Sequence, residues 1–330
     1  MKIGLITSVE RKSGIANYSR NLREGMPYDL FKWDYQGLVS VLFSPIKEFF
    51  NLRKFFKEHS VVHVQYHVGE QGPLFLPLMC LIKGKMVITM HEDHRDLGWF
   101  WVWWHNIWLR RADKILVHTN VHKEFLSEGL HSRTSVMPFG VKPMGKSEVP
   151  AYAKYSVLIP GFINRWKNVD VVIIAMKYVV KKYPDATLHV VGKAWDKKYT
   201  EECVDLVEKL GLQQNVFIIS DFVVPEVYDR YMREAAVIVI PYSRSTMSNV
   251  LAEAIGYRKE TIVSDIPPFK EYAKGKLFVA KVNCPEEVSG KICDVFRGKR
   301  CKVRELVEEY CWERVRKLHW DVYNSEVTNE

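Results

Sequence analysis

The sequence lacks several patterns that would place it in a common functional class. Its six cysteines form no Cys-x-x-Cys pair, which argues against a zinc site, and 330 residues suffice for a core without disulfides. The missing Gly-x-Gly-x-x-Gly fingerprint disfavours a nicotinamide-dependent dehydrogenase. Zinc-finger motifs, RNP motifs and long basic runs are also missing, so we expect no nucleic-acid partner.

The chain also lacks an apolar run long enough to cross a membrane. Its most apolar stretches, Pro73–Ile82 and Leu97–Leu109, are shorter than the roughly 20 residues that a spanning helix needs. The run Met1–Ser8 ends at a polar loop, which predicts a first strand rather than a signal peptide. We therefore expect a cytoplasmic protein without a transmembrane segment, with association at a membrane surface as the alternative.

Positive charge is in modest excess. The chain has 48 Lys and Arg against 39 Asp and Glu, a formal net charge of +9. Such a surface attracts nucleotide phosphates, anionic lipid and nucleic acid without choosing among them. Sequence motifs are needed to indicate which of these anions the protein binds.

Short β-branched runs alternate with longer amphipathic segments, which predicts parallel sheets wrapped by helices. A linker rich in Pro and Gly, Pro138–Pro150, interrupts this α/β pattern before it restarts. We predict an N-terminal domain at 1–145, a second domain at 146–310 and a final helical segment at 311–330 that packs toward the first domain. The predicted strands are Ile3–Thr7, Val61–Gln65, Val87–Thr89, Ile115–Thr119, Tyr155–Ile159, Thr187–Val191, Val216–Ile219, Val237–Pro241 and Thr261–Ser264. The predicted helices include Ala16–Glu24, Pro45–Glu58, Val169–Tyr183, Thr200–Leu210 and Val303 to about Val322.

Two cations occupy the loop after the first strand of the second half. Arg165 and Lys167 stand just before a predicted helix, where the helix dipole favours anions. A leaving diphosphate gains negative charge as its sugar bond breaks, and fixed cations stabilise that charge. Solvated loop charges are the alternative, and we favour the functional interpretation.

A second cluster follows a later strand. Glu253 lies among Leu251, Ala252, Ala254 and Ile255, and an acid in such apolar surroundings needs a partner. Two ribose hydroxyls would satisfy it, and a nearby Lys or Arg is the alternative. The hydroxyl-rich loop before it offers backbone N–H groups at a helix start, which suit phosphate.

Two candidates lie in the first half. Gly14 follows the first strand, where a glycine lets the backbone approach a phosphate or sugar, although a simple turn explains it equally well. His91 ends a predicted strand and could donate a hydrogen bond to a sugar hydroxyl, whereas a loop histidine held by neighbouring acids is the simpler alternative. The spacing of His91, Asp93 and His94 fits no common metal site.

With these loops in view, the chain resembles the GT-B-fold glycosyltransferases of the GT4-type (glycosyltransferase group 1) family. Matches occur in order over nearly the whole chain, and their order carries more weight than any single motif. The matching segments are Ser13–Leu22, His63–His67, Val87–His91, Ala112–Thr119, Met137–Val141, Gly161–Ala175, Leu188–Gly192, Ser248–Ala254 and Thr261–Tyr272.

The resemblance implies an α/β protein with the GT-B fold, two Rossmann-like parallel-sheet domains facing a central cleft. It implies retaining transfer of a hexose from a nucleotide-diphosphate sugar to a glycan or lipid-linked acceptor. GDP-mannose and UDP-glucose are the first donors to try. No metal, other cofactor or covalent nucleophile is expected, because the leaving diphosphate assists attack on the same face of the sugar.

The resemblance also implies roles for single residues. Lys167 binds the diphosphate, Glu253 holds the donor ribose, His91 contacts the transferred sugar, and Gly14 lets the first loop meet the phosphates and acceptor. Further donor contacts fall on Asp221, Phe222 and Val223 near the base, and on Ser245, Thr246, Met247, Ser248, Asn249 and Val250 near the phosphates.

Two positions depart from the family pattern. Phe162 stands where the family often has an arginine, which leaves Arg165 as the substitute cation for the diphosphate. Ser245 stands where the family often has a glutamate that grips the donor sugar. These departures keep open a catalytically weak relative that binds a nucleotide-sugar or assists a partner enzyme. An epimerase or a phosphorylase of the same fold is a further alternative.

Half of the chain's ten tryptophans fall within ten residues. Tryptophan favours membrane interfaces, and Arg110, Arg111 and Lys114 follow the cluster, so we predict a membrane-facing surface near a lipid-linked acceptor. The segment Phe43–Lys57 adds a basic, Phe-rich helix. A core helix, an oligomer interface and an acceptor pocket are the alternatives. The five residues are Trp99, Trp101, Trp103, Trp104 and Trp108.

Overall fold

Two parallel β-sheets organise the chain, and strands buried on both faces explain its near-continuous apolar runs. A computed structural model describes residues 1–7, 14–33, 45–67, 75–91, 98–145 and 154–328. The chain divides into two compact units: Met1–Gly140 with Trp312–Glu330, and Val141–Cys311. The sequence prediction put the corresponding changes after residues 145 and 310.

The first unit contains one sheet with the strand order β2-β1-β3-β4-β5-β6, and all of its pairings are parallel. In the β1–β3 pairing, Ile3 lies opposite Val61. The strands are β1 (Ile3–Thr7), β2 (Tyr28–Lys32), β3 (Val61–Tyr66), β4 (Met86–Met90), β5 (Lys114–Val117) and β6 (Thr134–Val136).

The second unit repeats this design with the order β12-β11-β10-β7-β8-β9, again wholly parallel. The order reverses between β7 and β10, and such switch points bind ligands at the carboxyl ends of their strands. The strands are β7 (Ser156–Pro160), β8 (Thr187–Val191), β9 (Val216–Ile219), β10 (Val237–Ile240), β11 (Glu260–Ser264) and β12 (Phe278–Ala280).

Helices connect the strands and cover both sheets. In the first unit they are α1 (Gly14–Arg23), α2 (Pro45–Glu58), α3 (Phe75–Cys80), α4 (Trp99–Leu109), α5 (Asn120–Glu124) and α6 (Glu128–His131). In the second unit they are α7 (Val169–Val179), α8 (Lys197–Lys209), α9 (Pro225–Glu234), α10 (Asn249–Gly256), α11 (Pro267–Ala273), α12 (Pro285–Phe296) and α13 (Val303–Glu309). The last helix, α14 (Trp312–Thr328), returns to the first unit and packs on α1 and β3.

The last helical segment differs from its prediction. A single helix from Val303 to about Val322 is wrong, because the chain breaks at Tyr310 and Cys311 between α13 and α14. There the Val141 N–H donates to the Tyr310 carbonyl (2.7 Å), and Val141 forms a β-bridge with Cys311. This long-range pairing competes with helix continuation and is invisible to a local periodicity.

Within the described part of the chain, no helix combines the length and the apolarity needed to cross a bilayer.

Two helical glycines give a matched test of packing. A Cβ on Gly256, at the end of α10, would lie 2.3 Å from the Lys142 carbonyl oxygen, whereas a Cβ on Gly290 in α12 meets nothing within 4 Å. We expect Gly256→Ala to lower the free energy of unfolding by about 1–3 kcal/mol, the usual effect of overpacking. Gly290→Ala should raise it by up to about 1 kcal/mol through helix propensity. Urea titrations of both variants measure this, and equal effects would show that the close approach to Lys142 is not a constraint.

Candidate functional site

The loop after β7 carries Lys167 in a rigid setting. Arg165–Lys167 form one 3-10 turn, and Asn168 adopts a left-handed conformation (φ 49°) before α7 begins. The Asn168 side chain donates to the Pro241 carbonyl (3.0 Å), and the Ser243 N–H donates to the Trp166 carbonyl (2.9 Å). The turn is therefore fastened to the segment that follows β10, on the other side of the switch point.

Lys167 is a nearly buried cation, with only 5% of its surface exposed. Its Nζ lies 4.9 Å from the ring centroid of Tyr242 and 5.5 Å from that of Trp166, so aromatic faces supply part of its stabilisation. No carboxylate among the described residues forms an ion pair with it. Buried charges are normally paired, so this ammonium group is suited to an anionic ligand.

Gly161 brings Lys167 together with the start of α10. Its φ of +97° is a conformation that glycine tolerates, and a Cβ there would lie 3.0 Å from Lys167 Nζ and 3.1 Å from Val250 Cγ2. The predicted phosphate ligands Lys167 and Val250 therefore meet at one point of the second unit.

The start of α10 adds backbone N–H donors that have no partner among the described residues. The Ser248 hydroxyl caps the helix by accepting from the Leu251 N–H (3.3 Å). The N–H groups of Asn249 and Val250, in the same first turn, have no partner within the helix, and the helix dipole adds positive charge there. Before the cap, the Ser245 hydroxyl donates to the Met247 carbonyl (2.9 Å), so it shapes this turn.

Glu253 is the carboxylate of this site. One oxygen accepts from the Tyr228 hydroxyl (2.8 Å), and the other accepts from the Asn249 side-chain nitrogen (2.7 Å). Burial raises the pKa of Glu253, while these two hydrogen bonds and the charge of Lys167 act in the opposite direction. The sequence analysis predicted ribose hydroxyls as its partners, with a Lys or Arg as the alternative. The ribose contact stays a prediction, while no Lys or Arg of the described residues forms an ion pair with Glu253. The donor Tyr228 had no local sequence signal because it lies on a separate helix, α9.

Two buried polar atoms in this part of the second unit lack hydrogen-bond partners among the described residues. They are Oδ1 of Asn164, which precedes the 3-10 turn, and the hydroxyl oxygen of Tyr242, whose ring faces Lys167. The ammonium group and the Tyr242 hydroxyl can donate to an anion, whereas the Asn164 oxygen only accepts and needs a donor such as a ligand hydroxyl.

A pair of exposed aromatic rings and the remaining predicted donor contacts lie at the carboxyl ends of neighbouring strands. Phe162 follows β7 and is 41% exposed; Trp195 follows β8 and is 73% exposed; their ring centroids are 5.5 Å apart. Backbone hydrogen bonds between Ile163 and the β8 loop hold the pair rigidly. After β9, Asp221 and Phe222 are exposed and Val223 is half-buried. Thr246 is buried in the loop before α10.

Arg165 has a partner of its own. Its guanidinium donates to Glu202 (2.7 Å) and lies 4.9 Å from the ring centroid of Tyr199. Its role as the substitute cation stays a prediction, and it would require the side chain to leave Glu202.

His91 ends β4 in the first unit. Its Nε2 lies 2.7 Å from the side-chain amide of Gln65, and its Nδ1 lies 3.2 Å from His118 Nε2. Burial and the neighbouring histidines keep the pKa of His91 well below its usual range, so the ring is neutral. The sequence did not assign roles to Gln65 and His118, although both lie inside the matched motifs.

Other predicted residues of the first unit lie at the edge of the described ranges or outside them. Gly14 is the exposed first residue of α1, while residues 8–13 before it, and Asp93 and His94 after β4, lie outside the described residues. No group of three or more His, Cys, Asp or Glu in the described ranges is arranged to hold a metal ion.

The tryptophan-rich segment forms α4. Trp99 and Trp103 are 82% and 53% exposed, whereas Trp101, Trp104 and Trp108 are half-buried. The alternative that this segment is a core helix is therefore excluded for the rings of Trp99 and Trp103. Helix α3 packs against α4, and Leu81, which follows α3, has an exposed side chain. The side chain of Arg110, which follows α4, is exposed as well.

The fold resembles those of solved glycosyltransferases. Sucrose-phosphate synthase from Thermosynechococcus elongatus matches with a TM-score of 0.78 and 15% identity over 100% of both chains. The Anabaena protein HepE, solved with UDP and glucose, matches with a TM-score of 0.77 and 12% identity over 98% of this chain and 100% of that one. A glycosyltransferase from Rickettsia africae gives 0.74 and 14% over 100% and 99%. These likenesses confirm the predicted α/β GT-B fold.

Sequence comparison gives the family. A search of curated proteins finds no match. The family model for "Glycosyl transferases group 1" matches residues 146–310, which is half of the 330-residue chain and includes Lys167 and Glu253. The chain therefore belongs to the group 1 family of glycosyl transferases.

Proposed function

We propose that this protein transfers a hexose from a nucleotide-diphosphate sugar to a glycan or lipid-linked acceptor, with retention and without a metal. The observation that carries the proposal is the buried Lys167 ammonium group, which has no carboxylate partner among the described residues and lies beside the first turn of α10. The related structure of HepE was also solved with UDP-glucose, which makes UDP-glucose the first donor to test and GDP-mannose the second.

The geometry supports a charge-stabilised departure of the diphosphate. As the sugar C–O bond breaks, negative charge grows on the diphosphate, and Lys167 with the N–H groups of Asn249 and Val250 would stabilise it. The acceptor oxygen would bond to the same carbon, and its proton would pass to an oxygen of the leaving diphosphate. Glu253 is already held by Tyr228 and Asn249, which fits a ribose contact better than a nucleophile.

A binding-only relative is the second candidate. It is favoured by Phe162, which stands in place of a cation and packs against Trp195. The two proposals separate in a turnover assay, because a binding-only protein would bind the donor without releasing UDP or GDP in the presence of glycan or lipid acceptors.

Lys167→Ala tests the main proposal. We expect kcat to fall about a hundredfold or more, the scale of losing a charge stabiliser at a leaving group. The matched control is Lys177→Ala, which removes the same charge from an exposed site on α7. Release of labelled sugar product measures both variants. A Lys167→Ala enzyme as fast as the control would remove the assignment.

Glu253→Gln should separate donor binding from stability. Because burial raises the pKa of Glu253 above its usual 4.5, the folded state holds a proton that the unfolded state has lost in the window just above pH 4.5. The free energy of unfolding therefore falls as the pH rises through that window. Glu253→Gln should abolish this fall and raise the KM for the donor more than it lowers kcat.

The control for Glu253→Gln is Glu226→Gln, which changes an exposed carboxylate on the neighbouring helix α9. Denaturant titrations at several pH values and donor saturation curves give both readouts. An unchanged KM together with an unchanged pH dependence would remove Glu253 from the site.

We also propose that α4 contacts an anionic membrane surface. Its exposed Trp99 and Trp103 are suited to the interface, and the exposed cations Arg110 and Lys83 would each contribute about 1 kcal/mol near an anionic leaflet. The Trp99→Ala/Trp103→Ala variant should lose flotation with vesicles that contain phosphatidylserine. Trp195→Ala, which removes an exposed tryptophan from the second unit, should retain it. Flotation that is missing in all three proteins would contradict the proposal.

A further inference from the structure

A continuous chain of buried polar side chains runs through the first unit. It begins at Tyr28, whose hydroxyl is 3.0 Å from that of Tyr323 on α14. The Tyr323 hydroxyl is 2.6 Å from His63 Nδ1, and His63 Nε2 is 3.2 Å from the Gln65 amide. From Gln65 the chain continues through His91 and His118 and ends at the Met137 carbonyl.

The Met137 carbonyl fixes which atom donates and which accepts along this chain of hydrogen bonds. An oxygen of this type only accepts, so His118 Nδ1, 3.0 Å from the Met137 carbonyl, carries a hydrogen. Burial lowers the pKa of His118 to about 3, so the ring is neutral and its Nε2 is an acceptor. His91 Nδ1, 3.2 Å from that acceptor, must then carry the hydrogen between the two rings.

The tautomer of His91 determines which atom of the Gln65 amide faces it. A neutral His91 with a hydrogen on Nδ1 has a bare Nε2, which accepts. The Gln65 side-chain atom 2.7 Å away must therefore be the amide nitrogen, because an oxygen there would place two acceptors face to face. The Gln65 oxygen then faces His63, so the nitrogen and oxygen of this amide exchange the places that they have in the structure.

The remaining hydrogen bonds lead from Gln65 through His63 to Tyr323 on α14. His63 Nε2 must donate to the Gln65 oxygen, and the Thr89 hydroxyl oxygen, 2.7 Å away, accepts from the same N–H. His63 Nδ1 is then bare and accepts from the Tyr323 hydroxyl, which in turn accepts from Tyr28. With neutral rings, each bond named in this chain then has one donor and one acceptor, and Tyr28 directs its hydrogen to Tyr323 rather than to the more distant Met26 sulfur (3.7 Å).

We propose that this chain of hydrogen bonds fixes His91 as the Nδ1–H tautomer, and that His118, anchored on the Met137 carbonyl, is a positioning residue that orients the His91 ring. The residue that follows β5 thereby orients the ring at the end of β4. Resting on the proposed function, the inference further means that a sugar hydroxyl would donate to His91 Nε2 and replace the Gln65 amide there, whereas the sequence suggested that His91 donates.

The direct test is NMR spectroscopy of the full chain with ¹⁵N-labelled histidine, using long-range ¹⁵N–¹H correlations that distinguish the two neutral tautomers from the cation. Expected are Nδ1–H for His91 and His118 and Nε2–H for His63, assigned with single His→Gln variants. An Nε2–H tautomer or a cationic ring at His91 near neutral pH would overturn the proposal. The test needs no nucleotide or sugar, so it stands even if the proposed transferase activity fails.

A variant tests the positioning role. His118→Phe removes the acceptor of the His91 Nδ1–H, so nothing holds the hydrogen on Nδ1 and the Nε2–H tautomer of His91 should become populated. The matched control is Tyr323→Phe, which removes a buried polar group from the other end of the chain and leaves His118 and the Met137 carbonyl in place. A general loss of stability would affect both variants, whereas the His91 tautomer should change only in His118→Phe. A purely Nδ1–H tautomer at His91 in a folded His118→Phe protein would overturn the role.

Discussion

A nearly buried ammonium group without a carboxylate partner among the described residues is the constraint on which the second unit depends. Lys167 lies over a glycine whose missing side chain leaves room for the amine, and aromatic faces replace part of its lost hydration. The loop after β7, the loop after β10 and the start of α10 are hydrogen-bonded or packed together around it. A cation in such a place is unfavourable unless an anion completes it, so its position indicates function more strongly than its presence in the sequence does.

Two polar clusters, one in each unit, differ in how their buried groups are satisfied. In the first unit, a neutral chain of hydrogen bonds from Tyr28 to the Met137 carbonyl satisfies each histidine on both ring nitrogens. Such a network specifies one arrangement and holds His91 rigidly. In the second unit, Asn164 and Tyr242 each keep a buried oxygen without a partner in the described structure. A closed network that orients one side chain, and an open cluster beside a cation, suit positioning in one unit and ligand binding in the other.

Local sequence signals predicted interior strands better than edge strands. Ile3–Thr7 and Thr187–Val191, which lie inside their sheets, were predicted with their observed limits, because continuous apolar runs mark strands inside a parallel sheet. Val216–Ile219 is the one edge strand of the described part that was also predicted with its limits. The edge strand Tyr28–Lys32 was missed, since its half-exposed residues give no such run. Lys167 was predicted from its place in a strand-to-helix loop and Glu253 from its apolar neighbours, and both roles stay predictions. Tyr228 and the Arg165–Glu202 pair were not predicted, because they depend on contacts between separate helices and loops.

The most direct test of the central claim is the thermal unfolding of wild-type protein and Lys167→Met, each with and without UDP and in the presence of a chelator. The account predicts that Lys167→Met is at least as stable as wild type without nucleotide, because it removes a buried charge that forms no ion pair with the described residues. It also predicts that wild type alone gains substantially from UDP, by about 2.7 kcal/mol at a hundred times Kd. A Lys167→Met protein that is less stable alone and gains as much from UDP as wild type would contradict the account.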